Sequence, residues 1–90
     1  MRYRVEYTKT ALKQLKKMDK KIAALIIAYI EDNLVDCENP RLYGKALQGN
    51  LNDKWRYRVG NYRILTKIED NILIIIVVEV GHRRDIYKYL

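Results

Sequence analysis

Between Lys54 and Lys67 the chain carries five positive residues, Lys54, Arg56, Arg58, Arg63 and Lys67, and no acid. In the middle stands Gly60-Asn61, a two-residue signal for a β-hairpin loop. With those two residues as the loop, Val59 pairs with Tyr62, Arg58 with Arg63, Tyr57 with Ile64, Arg56 with Leu65 and Trp55 with Thr66. Side chains alternate faces along a strand. One face is then Trp55, Tyr57, Val59, Tyr62 and Ile64, which suits a core. The other holds Arg56, Arg58, Arg63 and Lys67, with Lys54 at its start. Arginines directly opposite one another repel, and stability alone supplies no reason for the pair. A bound anion does supply one, because a guanidinium fork grips phosphate oxygens at two points and stays charged at any working pH. The plainer alternative is a solvated outer face.

A second group lies near the C-terminus, in Gly81-His82-Arg83-Arg84-Asp85-Ile86-Tyr87. It brings an imidazole, two guanidiniums and a phenol to the end of a strand. Clustered carboxylates for a metal-dependent nuclease are not seen, so no metal or other cofactor is expected. His82 is the only histidine, which excludes a two-histidine ribonuclease. Cys37 is the only cysteine and sits near a helix end without local activation, which disfavours a Cys–His nucleophile pair. RNA cleavage by its own 2′-hydroxyl asks less of a protein. The hydroxyl must be aligned and deprotonated, and the extra charge on the phosphorane must be offset. Arginines suit the last task, but with a pKa above about 12 they are poor proton carriers. Tyr87 or His82 would move protons; His82 otherwise serves as a hydrogen-bonded structural residue. Of Tyr87 and Tyr89, one reads as a plug for the core.

These groups need elements to hold them. Arg2–Tyr7 alternates, with Tyr3, Val5 and Tyr7 on one side, and predicts a half-buried strand. Thr8 or Thr10 offers a helix N-cap, and Ala11, Leu12, Leu15 and Met18 follow at helical spacing. Asp19 starts a second helix with the apolar set Ile22, Leu25, Ile26, Tyr29, Ile30 and Leu34. Periodicity fails from Val35 to Asp53, where Asn39-Pro40, Gly44 and Gly49 mark a loop. The hairpin follows, then a turn at Glu69-Asp70-Asn71, then a continuous β-branched run, Ile72–Val80, predicting a central strand that Gly81 ends. The order β-α-α-β-β-β predicts an α+β domain over residues 1–90: an antiparallel sheet with a two-helix hairpin packed on one face.

Composition narrows the class. The chain has 90 residues, of which 49% are hydrophobic, too many for a disordered chain. One cysteine excludes a disulfide framework and fits a reducing, cytoplasmic setting. The longest apolar run, Ile72–Val78, falls well short of the ~20 residues of a bilayer span, and the first ten residues do not read as a signal peptide. The net charge of +7 predicts attraction to polyanions. Lys9, Lys13, Lys16, Lys17, Lys20 and Lys21 contribute, either as a solvated helix face or as a source of long-range attraction.

Three segments carry a family resemblance: Ala11-Leu12-Lys13-Gln14-Leu15-Lys16-Lys17-Met18, the hairpin Trp55-Arg-Tyr-Arg-Val-Gly-Asn-Tyr-Arg63, and the ending Val80-Gly-His-Arg-Arg-Asp-Ile-Tyr87. Together with the element order, they resemble the RelE/ParE toxin superfamily, and its RelE branch in particular. The resemblance covers nearly the whole chain. It implies a ribosome-dependent endoribonuclease that cuts mRNA without metal and leaves a 2′,3′-cyclic phosphate. It also implies a RelB-type antitoxin partner, with binding of the complex to operator DNA left open. Arg63 and Arg83 match arginines that stabilise the transition state. Tyr87 matches a tyrosine that stacks on the substrate base and serves as general base. Arg56 and Arg58 fall at two basic substrate-binding positions, often lysines; arginine there will not readily give up a proton. Lys54 joins them on the same strand. His82 stands where some relatives have a histidine and others a lysine. The alternative is a ParE-like inhibitor of DNA gyrase without nuclease activity, and a third is a basic RNA-binding module.

If the arginine pair serves an anion, Arg63→Ala weakens function and leaves the melting temperature unchanged. A large fall in melting temperature with intact activity would assign Arg63 to structure instead.

Overall fold

A computed structural model describes residues 1–49 and 53–82. Arg83, Tyr87 and Tyr89 therefore lie outside the described residues. The elements are β1 (Arg4–Tyr7), α1 (Lys9–Lys17), α2 (Lys20–Asn33), β2 (Lys45–Ala46), β3 (Trp55–Val59), β4 (Tyr62–Glu69) and β5 (Ile74–His82).

Caps set the helix ends. Thr8, not Thr10, caps α1: its backbone is extended and its hydroxyl accepts from the Ala11 N–H at 3.0 Å. Lys16 and Lys17 close the helix, where cations complement the dipole. Asp19 caps α2 through the Lys21 N–H at 2.8 Å. Ala11 and Leu15 from α1, with Ile26, Ile30 and Leu34 from α2, are buried against the sheet. Leu12 and Leu25 belong to the expected apolar sets yet are exposed. Each sits on the flank of its stripe, beyond the width that a small sheet covers.

The sheet order is β1-β5-β4-β3-β2. The β2–β3, β3–β4 and β4–β5 pairs are antiparallel, as expected, but β1 pairs with β5 in parallel. The sheet is thus mixed rather than wholly antiparallel. The two ends of the chain's fold meet here: β1 and β5 are joined through everything between them, so no tight turn dictates their direction. The strand β2 lies inside the stretch expected as loop. Gly44 precedes it with φ +82°, and a Cβ there would lie 2.3 Å from the Arg56 carbonyl, so only glycine admits this approach. The expected start of β5 at Ile72 moves to Ile74, because residues 70–73 form the turn; Ile72 is exposed and Leu73 adopts φ +55°. β5 also continues past Gly81 to His82.

The core lies between the helices and one sheet face. Tyr57, Ile64, Ile75, Val77 and Val80 meet Ala11, Ile26, Ile30 and Leu34 there, all with essentially no exposure. The loop after α2 is fastened to the sheet by polar contacts. Arg41 forms a bidentate pair with Asp70 at 2.9–3.0 Å, and the buried Tyr3 hydroxyl donates to the same carboxylate at 2.7 Å. Trp55 Nε1 donates to the Tyr43 carbonyl at 2.7 Å, and the Tyr57 hydroxyl donates to the Pro40 carbonyl. Among the described residues, no helix is long and apolar enough to cross a membrane.

Arg41 and then Tyr3 hold the Asp70 carboxyl below its ordinary value through hydrogen bonds. A carboxylate depressed on folding stabilises the protein above its unfolded pKa, near ~4. That contribution is lost as pH falls from there through the lowered folded value. Asp70→Asn is expected to lower the melting temperature at neutral pH by about 2–8 °C, from ~0.5–1 kcal/mol for a half-exposed bidentate pair in a domain of this size. The gap to the parent closes in thermal melts run below pH ~3.

Candidate active site on the outer sheet face

The hairpin register follows the charge pattern. Val59↔Tyr62 flank the Gly60-Asn61 loop, and Arg58↔Arg63, Tyr57↔Ile64, Arg56↔Leu65 and Trp55↔Thr66 are cross-strand partners. Gly60 adopts φ +59°, which a glycine at the first position of a tight hairpin loop accepts without strain. Ladder alternation makes the pair next to the loop-closing pair a non-hydrogen-bonded one, in which opposed side chains stand closest. Arg58 and Arg63 occupy that pair.

β5 extends the rows. Gly81 lies opposite Arg63 on its other side, and Glu79 lies opposite Leu65. One row of the outer face therefore reads Arg58, Arg63, Gly81, and the next reads Lys45, Arg56, Leu65, Glu79. Gly81 places no side chain against Arg63.

The five cations are not equivalent. Lys54 Nζ is paired with Asp53 at 2.9 Å, and Lys67 Nζ with Glu69 at 3.2 Å. The acids stand just outside the acid-free segment and neutralise its two ends. Both were open to detection in the sequence: Asp53 adjoins Lys54, and Glu69 shares a strand face with Lys67 two residues away. Among the described residues, the arginine pair in the middle has no such carboxylate. Arg58 is exposed, whereas Arg63 is only 4% exposed. Among the described residues, the Arg63 guanidinium makes one hydrogen bond, a long one of 3.4 Å from Nη1 to the Tyr62 carbonyl, and its buried Nε has no partner. Arg63 was expected on a solvated or ligand-bearing face, and the structure buries it there with no counter-charge among the described residues. Arg56 is half-buried in the adjoining row.

His82 parts from this group. Its register partner is Tyr62, and the two rings meet edge-to-face at 5.4 Å. Tyr62, Ile64 and Val80 belong to the helix-facing side, so His82 projects to the opposite face of the sheet from Arg58 and Arg63. It lines a cleft of about 280 Å³ with Gln14, Lys17, Met18, Tyr62, Val80 and Gly81. The structure therefore brings Arg56, Arg58 and Arg63 together, holds Lys54 in an ion pair at the edge, and places His82 across the sheet. Arg83 and Tyr87 lie outside the described residues.

The tyrosines near the core hold their protons. Burial pushes the Tyr57 phenol well above its ordinary value, and burial raises Tyr7 and Tyr29. The hydrogen bond to Asp70 raises Tyr3. Burial likewise raises the Cys37 thiol, so it is not an activated nucleophile. No cluster of three or more His, Cys, Asp or Glu side chains occurs among the described residues.

Comparison with known proteins agrees with this architecture. Residues 5–87 match the family described as the ParE toxin of the type II toxin-antitoxin system, parDE. Toxin RelG of Mycobacterium tuberculosis is 33% identical over 88 residues, covering 98% of this chain and 99% of RelG. Toxin RelE of the same organism is 29% identical over 86 residues, covering 96% of this chain and 87% of that protein. Among solved structures, the toxin–antitoxin complex RelBE2 from Mycobacterium tuberculosis contains a chain that superposes with a TM-score of 0.82 at 30% identity, covering 92% of this chain and 93% of the other. Free Escherichia coli toxin RelE, as a double arginine-to-alanine mutant, shares the fold with a TM-score of 0.77 at 22% identity, covering 99% of this chain and 92% of its own. The basic hairpin, the two-helix layer and the mixed sheet thus fall within one lineage, and the chain belongs to the RelE/ParE toxin superfamily as a toxin of a type II toxin–antitoxin system.

Proposed function

We propose that this toxin is a ribosome-dependent mRNA endoribonuclease of the RelE type. The observation that carries this reading is the Arg63 guanidinium, buried beside exposed Arg58, with no carboxylate partner and an unbonded Nε among the described residues. A buried charge without a counter-ion is costly and needs a reason. An anion arriving during function supplies it.

In the proposed reaction, the 2′-oxygen of one ribose attacks the adjacent 3′-phosphorus. The O2′–P bond forms, the P–O5′ bond breaks, and the products are a 2′,3′-cyclic phosphate and a 5′-hydroxyl. Arg58 and Arg56 hold the phosphate, while Arg63 and Arg83 offset the negative charge that builds on the phosphorane. The chain needs no metal in this scheme, because the nucleophile belongs to the substrate. Tyr87 is assigned to accept the 2′-hydroxyl proton, and solvent water supplies the proton that the departing 5′-oxygen takes up. His82, on the far face, contacts Tyr62 and takes no proton in this scheme. The ribosome aligns the mRNA, and the +7 charge assists encounter with RNA.

The partner in the resting state is a RelB-type antitoxin, in keeping with the RelBE2 complex of Mycobacterium tuberculosis and the RelE–RelB complex of Pyrococcus horikoshii. An acidic segment that folds on binding would cover the basic face. A second reading is gyrase inhibition without RNA cleavage, favoured by the ParE description of the matching family. The names of the similar relatives RelG and RelE favour the nuclease.

Purified toxin mixed with programmed ribosomes and end-labelled mRNA is expected to give discrete cuts at the decoding-site codon. Arg63→Ala lowers the single-turnover rate by about 10²–10³, the range for removing one preorganised transition-state donor. Intact mRNA together with trapped or inhibited gyrase would replace this reading with the second one.

A thermal assay tests the anion site separately. Arg63→Met keeps the stem and removes a poorly satisfied buried charge, so its melting temperature rises by about 4–8 °C, from ~1 kcal/mol. Millimolar pyrophosphate raises the melting temperature of the parent and not of this variant. A fall on Arg63→Met, or an equal pyrophosphate response in both, would remove the anion site.

A further inference from the structure

β5 outruns its neighbour. β1 pairs with residues Ile74 to Val77 and then ends, while β5 continues to His82. Past Val77, the edge of β5 turned away from β4 has no strand beside it among the described residues, and a strand edge in the interior needs its polar groups satisfied. Groups from the start and middle of α1 take over. The Thr8 N–H donates to the Val77 carbonyl at 3.0 Å, and the Thr8 hydroxyl donates to the Val78 carbonyl at 2.6 Å. Two residues further on, the Val80 N–H donates to Gln14 Oε1 at 2.7 Å. Val80 itself has no exposure, so no solvent substitutes for that oxygen.

This substitution happens where the strand is least regular. The β4–β5 register shifts between Leu65 and Thr66: Thr66 faces Val77 and Leu65 faces Glu79, which leaves Val78 as the extra residue of a bulge. A bulge lets a strand bend or slip, and the register after it decides what stands opposite Arg63. Gln14 grips the strand at Val80, one residue before Gly81, the cross-strand partner of Arg63. Gln14 is itself well anchored, since its backbone carbonyl accepts from the Met18 N–H at 3.2 Å, inside the α1 C-cap.

We infer that Gln14 is a positioning residue for the cleavage reaction. Its amide oxygen, bonded to the Val80 N–H, holds the end of β5 in the register that sets Gly81 against Arg63. The inference rests on the nuclease reading above and adds to it a residue of α1, on the other side of the sheet from the arginines. Glutamine has the reach and the acceptor. Asparagine is one methylene too short from the same helix position, methionine has the length without the oxygen, and glutamate keeps both.

The test compares Gln14→Asn, Gln14→Met and Gln14→Glu with the parent. Amide hydrogen exchange at Val80, followed by NMR on purified toxin, is expected to speed up at least tenfold in the Asn and Met variants and to stay near the parent in Glu. The Arg63 Nε–H resonance shifts in the first two and holds in the third. In the ribosome assay, Asn and Met lower kcat about tenfold or more with KM for programmed ribosomes unchanged, and Glu restores the rate. Two results overturn the inference: Val80 exchange indifferent to Gln14→Asn and Gln14→Met, or faster exchange with kcat unaltered. A variant that fails to fold leaves the other two to decide. A parent toxin that cuts no mRNA would sink the nuclease reading first, whereas a parent that cuts and an Asn variant that cuts equally well would sink only the role of Gln14.

Discussion

The opposition of Arg58 and Arg63 across a tight hairpin is the constraint around which this sheet is arranged. Like charges at the closest kind of cross-strand position oppose pairing, yet the hairpin forms in that register because the other face demands it. Tyr57 and Ile64, partners on the core side, have no exposure at all. A slip of β3 by one residue would relieve the arginines and turn Tyr57 out of the core into water. Core burial thus holds the two guanidiniums in place, and charge repulsion is tolerated as a consequence. Preorganised charge of this kind is what transition-state stabilisation of a phosphorane requires.

Local ion pairs sharpen the arrangement. Asp53 and Glu69 take the two lysines at the ends of the basic segment, so among the described residues the Arg58–Arg63 pair is left without a carboxylate between them. The loop between α2 and β3 is fastened by Arg41, Asp70, Tyr3 and Trp55 at the far end of the sheet. Polar stapling and the arginine pair are thereby separated along the strand direction, with Arg58 and Arg63 beside the hairpin tip and the end of β5.

Much of this was legible in the amino-acid sequence, for identifiable reasons. A two-residue loop with glycine first leaves one pairing register, so the partners from Val59↔Tyr62 to Trp55↔Thr66 follow by counting. Thr8 and Asp19 are side chains that can cap, and they stand directly before amphipathic runs. The two faces of the hairpin follow from period-two alternation. Less legible were the start of β5, where Ile72 and Leu73, apolar and leading into a β-branched run, extend the turn begun at Asp70-Asn71, and β2, a pairing only two residues long with no periodicity to reveal it.

The residue types, their spacing and the hairpin register were determined by local chemistry: side-chain period, turn geometry and capping act over a few residues and need no partner. Tertiary structure alone decided how deeply Arg63 is buried and on which face His82 falls. The bulge at Val78 and the side chains of Thr8 and Gln14 completing a strand edge from 66–70 residues away belong to the same class. Those outcomes depend on contacts between segments distant in sequence. No local pattern records which backbone groups a missing neighbour strand leaves unsatisfied.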